Sequence, residues 1–125
     1  MSNMKFIITE SQFNLVGLEK KSDLLYRLMK SFFPENYEYE NSNNETEVFA
    51  NENNIELLFF YDWDTKAFYI GANFINELYE ATEIPFLNVH EAQRIQNRPM
   101  FDELMKVFAK RHYGWDVNKV WFHFY

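Results

Sequence analysis

The sequence has no cysteine and only three glycines and three prolines among its 125 residues. Without cysteine the chain cannot form disulfides or cysteine-ligated zinc and iron–sulfur sites. The glycines, Gly17, Gly71 and Gly114, are isolated from one another, which excludes a glycine-rich phosphate-binding loop. No apolar run approaches the roughly 18 residues that a membrane-spanning helix needs. We therefore expect no bound cofactor and no membrane association.

Positive charge is missing from a long central stretch. No Lys or Arg lies between Ser31 and Thr65, and residues 31–85 carry twelve acidic side chains and one basic. This field, within a net charge of −7, repels phosphate backbones and disfavours nucleic-acid binding. It would attract a basic partner. A solvated acidic loop explains the same charge without any partner.

Aromatic residues are abundant, with 14 Phe, 8 Tyr and 3 Trp. Large rings should build the core, because each buries much apolar area. Rings that one small core cannot hold should lie at the surface, where a cluster of rings is typical of a contact with another protein. A chain of this length is expected to form one domain, residues 1–125, without covalent cross-links.

The centre of the predicted fold is a hairpin over Ile55–Ile70. Its first strand, from Ile55, has apolar residues on both faces, which is typical of a central strand. The turn is Asp62-Trp63-Asp64-Thr65, and Gly71 follows the return strand. Residues 35–54 are interpreted as an acidic, Asn-rich loop, with a pair of short edge strands or a segment that orders on a partner as alternatives.

Other elements are predicted by hydrophobic period and by cap residues, and we expect an α+β fold. Its mostly antiparallel sheet would hold the hairpin at its centre, pack against about four helices, and pair the last strand beside the first strand or the hairpin. The predicted elements are a strand at 4–8, a short helix from Thr9 to Gly17, a helix over 23–33 capped by Ser22, a helix over 73–82 capped by Asn73, a weaker helix over 88–97, a helix over 100–113 and a strand over 117–125.

No reactive constellation is present in the sequence. His90, His112 and His123 stand alone, without the spacing of a zinc-binding helix, although a fold could bring the last two together. Asp62 and Asp64 resemble an acidic metal-binding pair but lack further carboxylates, so a hairpin turn is the simpler interpretation. We predict no catalytic residue, no metal ligand and no enzyme activity.

A base-stacking sheet is a hypothesis that the rings permit. It needs aromatic side chains and a basic groove on the same surface. The candidate rings are Phe59, Tyr61, Tyr69, Trp121 and Tyr125, and the candidate cations are Arg94, Arg98, Lys106, Lys110 and Arg111.

Contact with a protein partner is the interpretation that we favour, and the oligomeric state, including a homo-oligomer, stays open. At the hairpin tip an aromatic ring and negative charge coincide, and the last strand presents further rings. The candidate contact residues are Asp62, Trp63, Asp64, Trp121, His123 and Tyr125.

A resemblance gives this interpretation a biological setting. The residues from Lys5 to Gln12 are Lys-Phe-Ile-Ile-Thr-Glu-Ser-Gln. They resemble the K-x-I-I-T-E-x-Q opening of a group of small proteins from tailed bacteriophages. These small proteins have no assigned activity. The resemblance implies a phage origin. Together with the excess of rings and the absence of a reactive set, it leads us to expect a virion or accessory protein, located in the virion or host cytoplasm. The first ten residues lack the long apolar region of a signal peptide, so we expect no secretion by that route. Two alternatives stay open: an acidic mimic of nucleic acid that inhibits a host or defence protein, and a small enzyme.

Overall fold

Five strands form one sheet in the order in which they occur along the described part of the chain, β1–β2–β3–β4–β5. The structure, a computed structural model, describes residues 10–53 and 56–124. Neighbouring strands are antiparallel from β1 to β4, whereas β5 runs parallel to β4. The strands are β1 (Tyr37–Glu40), β2 (Glu45–Phe49), β3 (Leu57–Asp62), β4 (Ala67–Gly71) and β5 (Lys119–His123).

The described residues contain four α-helices, which lie before β1 and between β4 and β5 in the sequence. The first precedes β1, and the other three lie between β4 and β5, where a parallel connection needs a crossover. They are α1 (Glu10–Phe32), α2 (Ala72–Thr82), α3 (Val89–Ala92) and α4 (Arg98–Tyr113), and a 3₁₀ turn covers Pro85–Leu87. The α+β class with a mostly antiparallel sheet is confirmed. Among the described residues, no helix has the length and apolarity needed to cross a bilayer.

The hairpin prediction is confirmed over β3 and β4, with β3 at the centre of the five strands, and Ile55 lies outside the described residues. Phe59 on β3 is fully buried and lies at the middle of the aromatic core. Other rings pack around it in edge-to-face and tilted contacts, which are arrangements that aromatic rings prefer. Five rings have centroids within 5.3 to 6.3 Å of the Phe59 ring, those of Phe68, Phe74, Phe108, Tyr113 and Trp115.

The helices cover one face of the sheet, which we call the covered face. Helix α1 packs along α4, and rings of α2 and α4 contact the sheet residue Phe59. The cross-strand register places the buried sheet residues of this face side by side. They are Val48, Phe59, Tyr61, Phe68, Ile70 and Val120.

The loop prediction for residues 35–54 is wrong, and the edge-strand alternative is right. Val48 is fully buried and Thr46 nearly so, and this burial holds β2 against β3. The Asn41 side chain then builds the β1–β2 turn, because its Oδ1 accepts the amides of Asn43 and Glu45. Turn residues and strands alternate here over so few positions that the Asn-rich composition concealed them.

The two predicted helices around Gly17 and Ser22 form the single helix α1. Ser22 is fully buried in the helix interior rather than at a cap. It lies on one stripe with Leu18, Leu25 and Met29, at the spacing of a helix face that packs on a neighbour. Burial against α4 therefore overrides the local stop and start signals. The predicted strand at 4–8 and the Thr9 cap lie outside the described residues.

The remaining boundaries differ in smaller ways. Gly71, not Asn73, precedes the first residue of α2. The helix predicted over 88–97 is reduced to α3, where the Asn88 side chain accepts the amide of Glu91. Helix α4 ends as predicted at Gly114, whose φ of 74° is the left-handed conformation that glycine favours. The last strand pairs beside the hairpin, one of the two predicted positions.

Candidate interaction surface

The sheet face opposite the helices carries a row of side chains that crosses all five strands. We call this side the open face. In the cross-strand register, each member of the row lies beside the next, so their side chains point to the same side. Strands lie about 4.8 Å apart, so the row is about 19 Å wide. Its members are Tyr39, Glu47, Phe60, Tyr69 and Trp121.

The rings of the open face contact one another. Phe60 and Tyr69 stack with centroids 4.4 Å apart and ring planes 8° apart, and His123 meets Phe60 edge-on at 5.6 Å. The outer rings remain accessible, with Tyr39 exposed by 47% and Trp121 by 44%. Among the described residues these rings make no ring contact with a helix, so the row forms an aromatic surface.

Acidic side chains border this surface on one side. Glu45 and Asp62 lie beside each other in the adjacent row of the open face, and Glu47 belongs to the aromatic row itself. The side-chain Nδ2 of Asn41 donates to the carboxylates of Glu45 and Glu47, at 2.9 and 3.0 Å, and these bonds fix the two carboxylates. At the other side, Lys119 lies over the Trp121 ring, 5.2 Å from its centroid. The open face is therefore acidic on β2 and β3 and basic on β5.

The hairpin tip is held by local hydrogen bonds. Asp62 Oδ1 accepts the amides of Asp64 and Thr65, at 2.9 and 3.3 Å, which is the Asx-type turn that the sequence predicts. Asp64 in turn accepts from the side-chain amide of Asn44 in the β1–β2 turn, at 3.0 Å. The carboxylates thus serve the backbone and a neighbouring turn. Among the described residues there is no carboxylate or histidine cluster that could hold a metal ion.

Trp63 turns toward the covered side of the sheet. Its Nε1 donates to Thr46 Oγ1 at 2.9 Å, and its ring meets the Tyr61 ring edge-on at 5.0 Å. Because Thr46 and Tyr61 belong to the covered face, Trp63 is separated from Trp121. The indole is still 44% exposed at the end of the sheet.

The predicted contact residues therefore divide into two groups. Asp62, Trp121 and His123 lie on the open face, whereas Trp63 and Asp64 form the tip. Tyr125 lies outside the described residues. Sequence reasoning missed Tyr39, Glu47 and Phe60. Their alternation along the strands was visible, but the pattern does not say which face the helices cover.

The rings of the base-stacking hypothesis are also divided between the faces. Phe59 and Tyr61 are buried beneath the helices, while Tyr69 and Trp121 lie on the open face. The candidate cations lie on the helical side and each contacts a carboxylate. The pairs are Arg94–Glu91, Arg98–Asp102, Lys106–Glu103, Lys110–Asp116 and Arg111–Asp23. The described residues therefore do not combine these rings with a basic groove.

His112 and His123 lie on opposite sides of the sheet. His112 stacks on Tyr26 at 4.2 Å between α4 and α1, and its Nε2 lies 3.0 Å from Asp23 Oδ1. Burial lowers the pKa of His112 even though the Asp23 charge opposes that shift. His123 is on the open face beside Phe60. The fold therefore does not bring the two imidazoles together.

A pair of carboxyl groups lies where α2 approaches β3. Burial, a hydrogen bond with Glu56 and the charges of Glu56 and Glu80 raise the pKa of Glu77 to about 7. Glu56 Oε2 is buried and, among the described residues, receives no hydrogen bond from an amide, hydroxyl or cationic group. A proton on Glu77 supplies the missing donor. The hydrogen bond of this pair links α2 to the residue that precedes β3.

An apolar groove of about 500 Å³ lies between α1, α3 and α4. Its polar lining consists of Lys21, Glu91 and Asn97, and Lys21 lies over the Phe86 ring at 5.8 Å. None of these groups forms a nucleophile–base pair, so the groove supplies no recognisable catalytic set.

Taken together, the fold and surface define a small α+β domain in which helices cover one sheet face and the other face bears the aromatic row. Comparison with protein-family models, with curated proteins and with solved structures finds no match for this chain.

Proposed function

We propose that the protein works by non-catalytic contact with another protein, and that the open face is the contact surface. The row of Tyr39, Glu47, Phe60, Tyr69 and Trp121 carries this proposal. Tyr39 and Trp121 are exposed and Phe60 and Tyr69 are partly exposed, and apolar side chains grouped on one surface in this way are typical of interaction sites. Tyr and Trp also supply a large share of binding energy at interfaces.

The charges of the open face indicate the chemistry of the partner. Glu45, Glu47 and Asp62 surround the rings on the β2 and β3 side. A partner with an apolar centre and Lys or Arg at its rim would bury the rings and pair with these carboxylates. The cation-free stretch from Ser31 to Thr65 favours the same basic partner.

Site-specific photo-crosslinking tests this surface. A photoreactive phenylalanine analogue replaces Trp121 in one variant and Ile95 in the control, where Ile95 is 90% exposed in the α3–α4 connection. We expect a defined protein to be cross-linked in native cells from position 121 and not from position 95. Cross-linking of the same proteins from both positions would contradict the proposal.

A binding measurement completes the test. Tyr69→Ser removes a partly buried ring between Phe60 and Trp121 in the row, and Phe32→Ser removes an exposed ring at the end of α1, away from the open face. The partner that cross-linking identifies is then purified on its own. It should bind the Tyr69 variant about tenfold or more weakly than the wild type, because a hot-spot ring contributes at least 1 to 2 kcal/mol to binding. It should bind the Phe32 variant as it binds the wild type. Equal affinities of all three proteins would refute the role of the open face.

The biological setting is the part of the proposal that rests on the resemblance of Lys5–Gln12 to openings of tailed-phage proteins. It supports a virion component or an accessory protein in the host cytoplasm. Mass spectrometry of purified particles separates these two roles. Detection at a stoichiometry of several copies per particle supports the virion role, and absence from washed particles supports the accessory role.

An acidic mimic of nucleic acid is the second candidate, favoured by the grouping of acidic residues on β1 and β2. Glu38 and Glu40 lie on one side of these two adjacent strands, and Glu45 and Glu47 lie on the other, so both sides of this edge are acidic. Such a mimic would occupy the nucleic-acid groove of a host or defence protein. Double-stranded DNA should then compete with this protein for binding to the partner that cross-linking identifies. A ternary complex that keeps both DNA and this protein would exclude mimicry.

A further inference from the structure

We propose that the outer edge of β1 accepts an extended, basic segment of a partner protein as a sixth strand. This inference rests on the proposed function in requiring a protein partner. It assigns a different surface, the edge of the sheet rather than its open face, and separate variants test the two.

Within the described residues, the backbone of β1 has hydrogen-bonding groups without a partner on its outer side. The Asn41 amide donates to the Glu45 carbonyl at 2.9 Å, which fixes the alternation of the antiparallel ladder. Tyr37 and Tyr39 therefore bond to β2, and Glu38 and Glu40 direct their N–H and C=O groups outward. Among the described residues, β1 is the terminal strand of the sheet, and no backbone hydrogen bond from a turn or loop reaches those four groups.

At the opposite edge of the sheet, one outward carbonyl of β5 has a partner from a helix. Arg98 Nη2 donates to the Val120 carbonyl on β5 at 2.7 Å, and Asp102 holds the guanidinium through a second bond of 2.7 Å. A cation thus occupies an outward carbonyl of β5. Within the described residues, β1 has no such side chain, so β1 is the edge at which a strand can be added.

Charge on β1 selects the added strand. Glu38 and Glu40 are exposed, and both lie on the same side of β1. A second copy of β1 paired antiparallel about Tyr39 would place Glu38 of one copy beside Glu40 of the other, which is repulsive. The same carboxylates would pair with Lys or Arg of a different chain. The edge therefore resists self-association and favours a basic strand.

The open face adds a second preference. Tyr39, 47% exposed, ends the aromatic row at this edge. The residue of an added strand beside Tyr39 would extend the row by one position, where a ring or a β-branched side chain packs well. The segment that fits is therefore about five residues long and alternates basic with apolar side chains.

Three synthetic peptides test the edge with the full chain. The first is acetyl-Thr-Lys-Val-Lys-Tyr-Lys-Thr-amide, the second carries Glu in place of each Lys, and the third is the first with N-methylated lysine amides. We expect the first peptide to shift the amide resonances of Glu38 and Glu40 and to slow their hydrogen exchange. N-methylation should weaken binding about tenfold or more, because it removes strand hydrogen bonds while keeping every charge. The acidic peptide should not bind.

A charge-reversed variant provides the matched control. Glu38→Lys combined with Glu40→Lys alters exposed side chains only, and its fold is verified from its amide spectrum. This variant should bind the acidic peptide and reject the basic one. Equal binding of the methylated and unmethylated basic peptides, shifts confined to Tyr69 and Trp121, or no binding at millimolar peptide would each overturn the edge site. The Trp121 cross-linking result stands or falls separately.

Discussion

Arg98 reaches from the first turn of α4 to the backbone of β5, where its Nη2 donates to the Val120 carbonyl at 2.7 Å. Its Nε bonds Asp102 at 2.7 Å, and its guanidinium lies over the Phe122 ring at 5.1 Å. One side chain thus joins the helix layer to the edge of the sheet.

Arg98→Met should lower the free energy of unfolding by about 1 kcal/mol, since a charge-assisted hydrogen bond to a partly buried carbonyl is lost. Arg94→Met is the control, because the Arg94–Glu91 pair is 3.4 Å long and about half exposed on both sides. It should change stability by less than about 0.5 kcal/mol. Urea denaturation measures both variants, and equal effects would contradict a special role for Arg98.

Phe59→Ala should lower the free energy of unfolding by about 3 to 5 kcal/mol, because it removes a fully buried ring that contacts five others. Ile95→Ala, at a side chain that is 90% exposed, should stay within about 0.5 kcal/mol of the wild type. Chemical denaturation compares the two. A cost below 2 kcal/mol for Phe59→Ala would mean that the core is not organised around this ring.

Gly71→Ala and Gly17→Ala should change stability in opposite directions. A Cβ at Gly71 would lie 2.8 Å from the Leu58 carbonyl oxygen, so the backbone must move to accommodate alanine. This movement should lower the free energy of unfolding by about 1 to 3 kcal/mol. A Cβ at Gly17 in α1 would meet none of the described atoms within 4 Å, and alanine there should raise the free energy of unfolding by about 0.5 to 1 kcal/mol. Thermal unfolding gives the sign of each change. Destabilisation by Gly17→Ala would argue against a continuous α1.

Glu77→Gln should change how stability depends on pH. The pKa of Glu77 is raised from an ordinary value of 4.5 to about 7, so the folded state takes up a proton between these values. Its contribution is therefore complete below pH 4.5 and is lost as the pH rises to 7. Glutamine keeps a donor for Glu56 without the charge, so the variant should have the higher Tm at pH 8.

The two proteins should have similar Tm values at pH 4.5, where Glu77 is protonated. Glu80→Gln, a nearby exposed carboxylate that contributes the smallest of the causes, should give a smaller difference at pH 8. Parallel pH profiles for wild type and Glu77→Gln would show that Glu56 and Glu77 do not share a proton.

The sequence predicted elements best where strong periodicity and punctuation agreed. The hairpin and α4 are examples, since Gly114 and the basic residues Lys110, Arg111 and His112 mark the helix end. It failed at α1, where Gly17 and Ser22 resemble boundaries. Ser22 is enclosed by helix packing, which local signals do not reveal.

The candidate surface was only partly predictable for a related reason. Alternation along β3 assigns Phe59 and Phe60 to opposite faces, but both are phenylalanines in an apolar strand. Which one is buried depends on where α1 and α4 pack, and their contact joins residues as far apart as Asp23 and Arg111. The parallel pairing of β5 with β4 is equally non-local, so neither was readable from a short window.

That separation has a kinetic consequence. The β4–β5 ladder joins Ala67 to Lys119, and the α1–α4 contact joins Asp23 to Arg111, so both require long loops to close before they contribute stability. Folding speed falls as the sequence distance between contacting residues grows. The β1–β4 meander consists of neighbouring strands and can form early. During synthesis, β4 keeps an unpaired edge until the residues of β5 have left the ribosome.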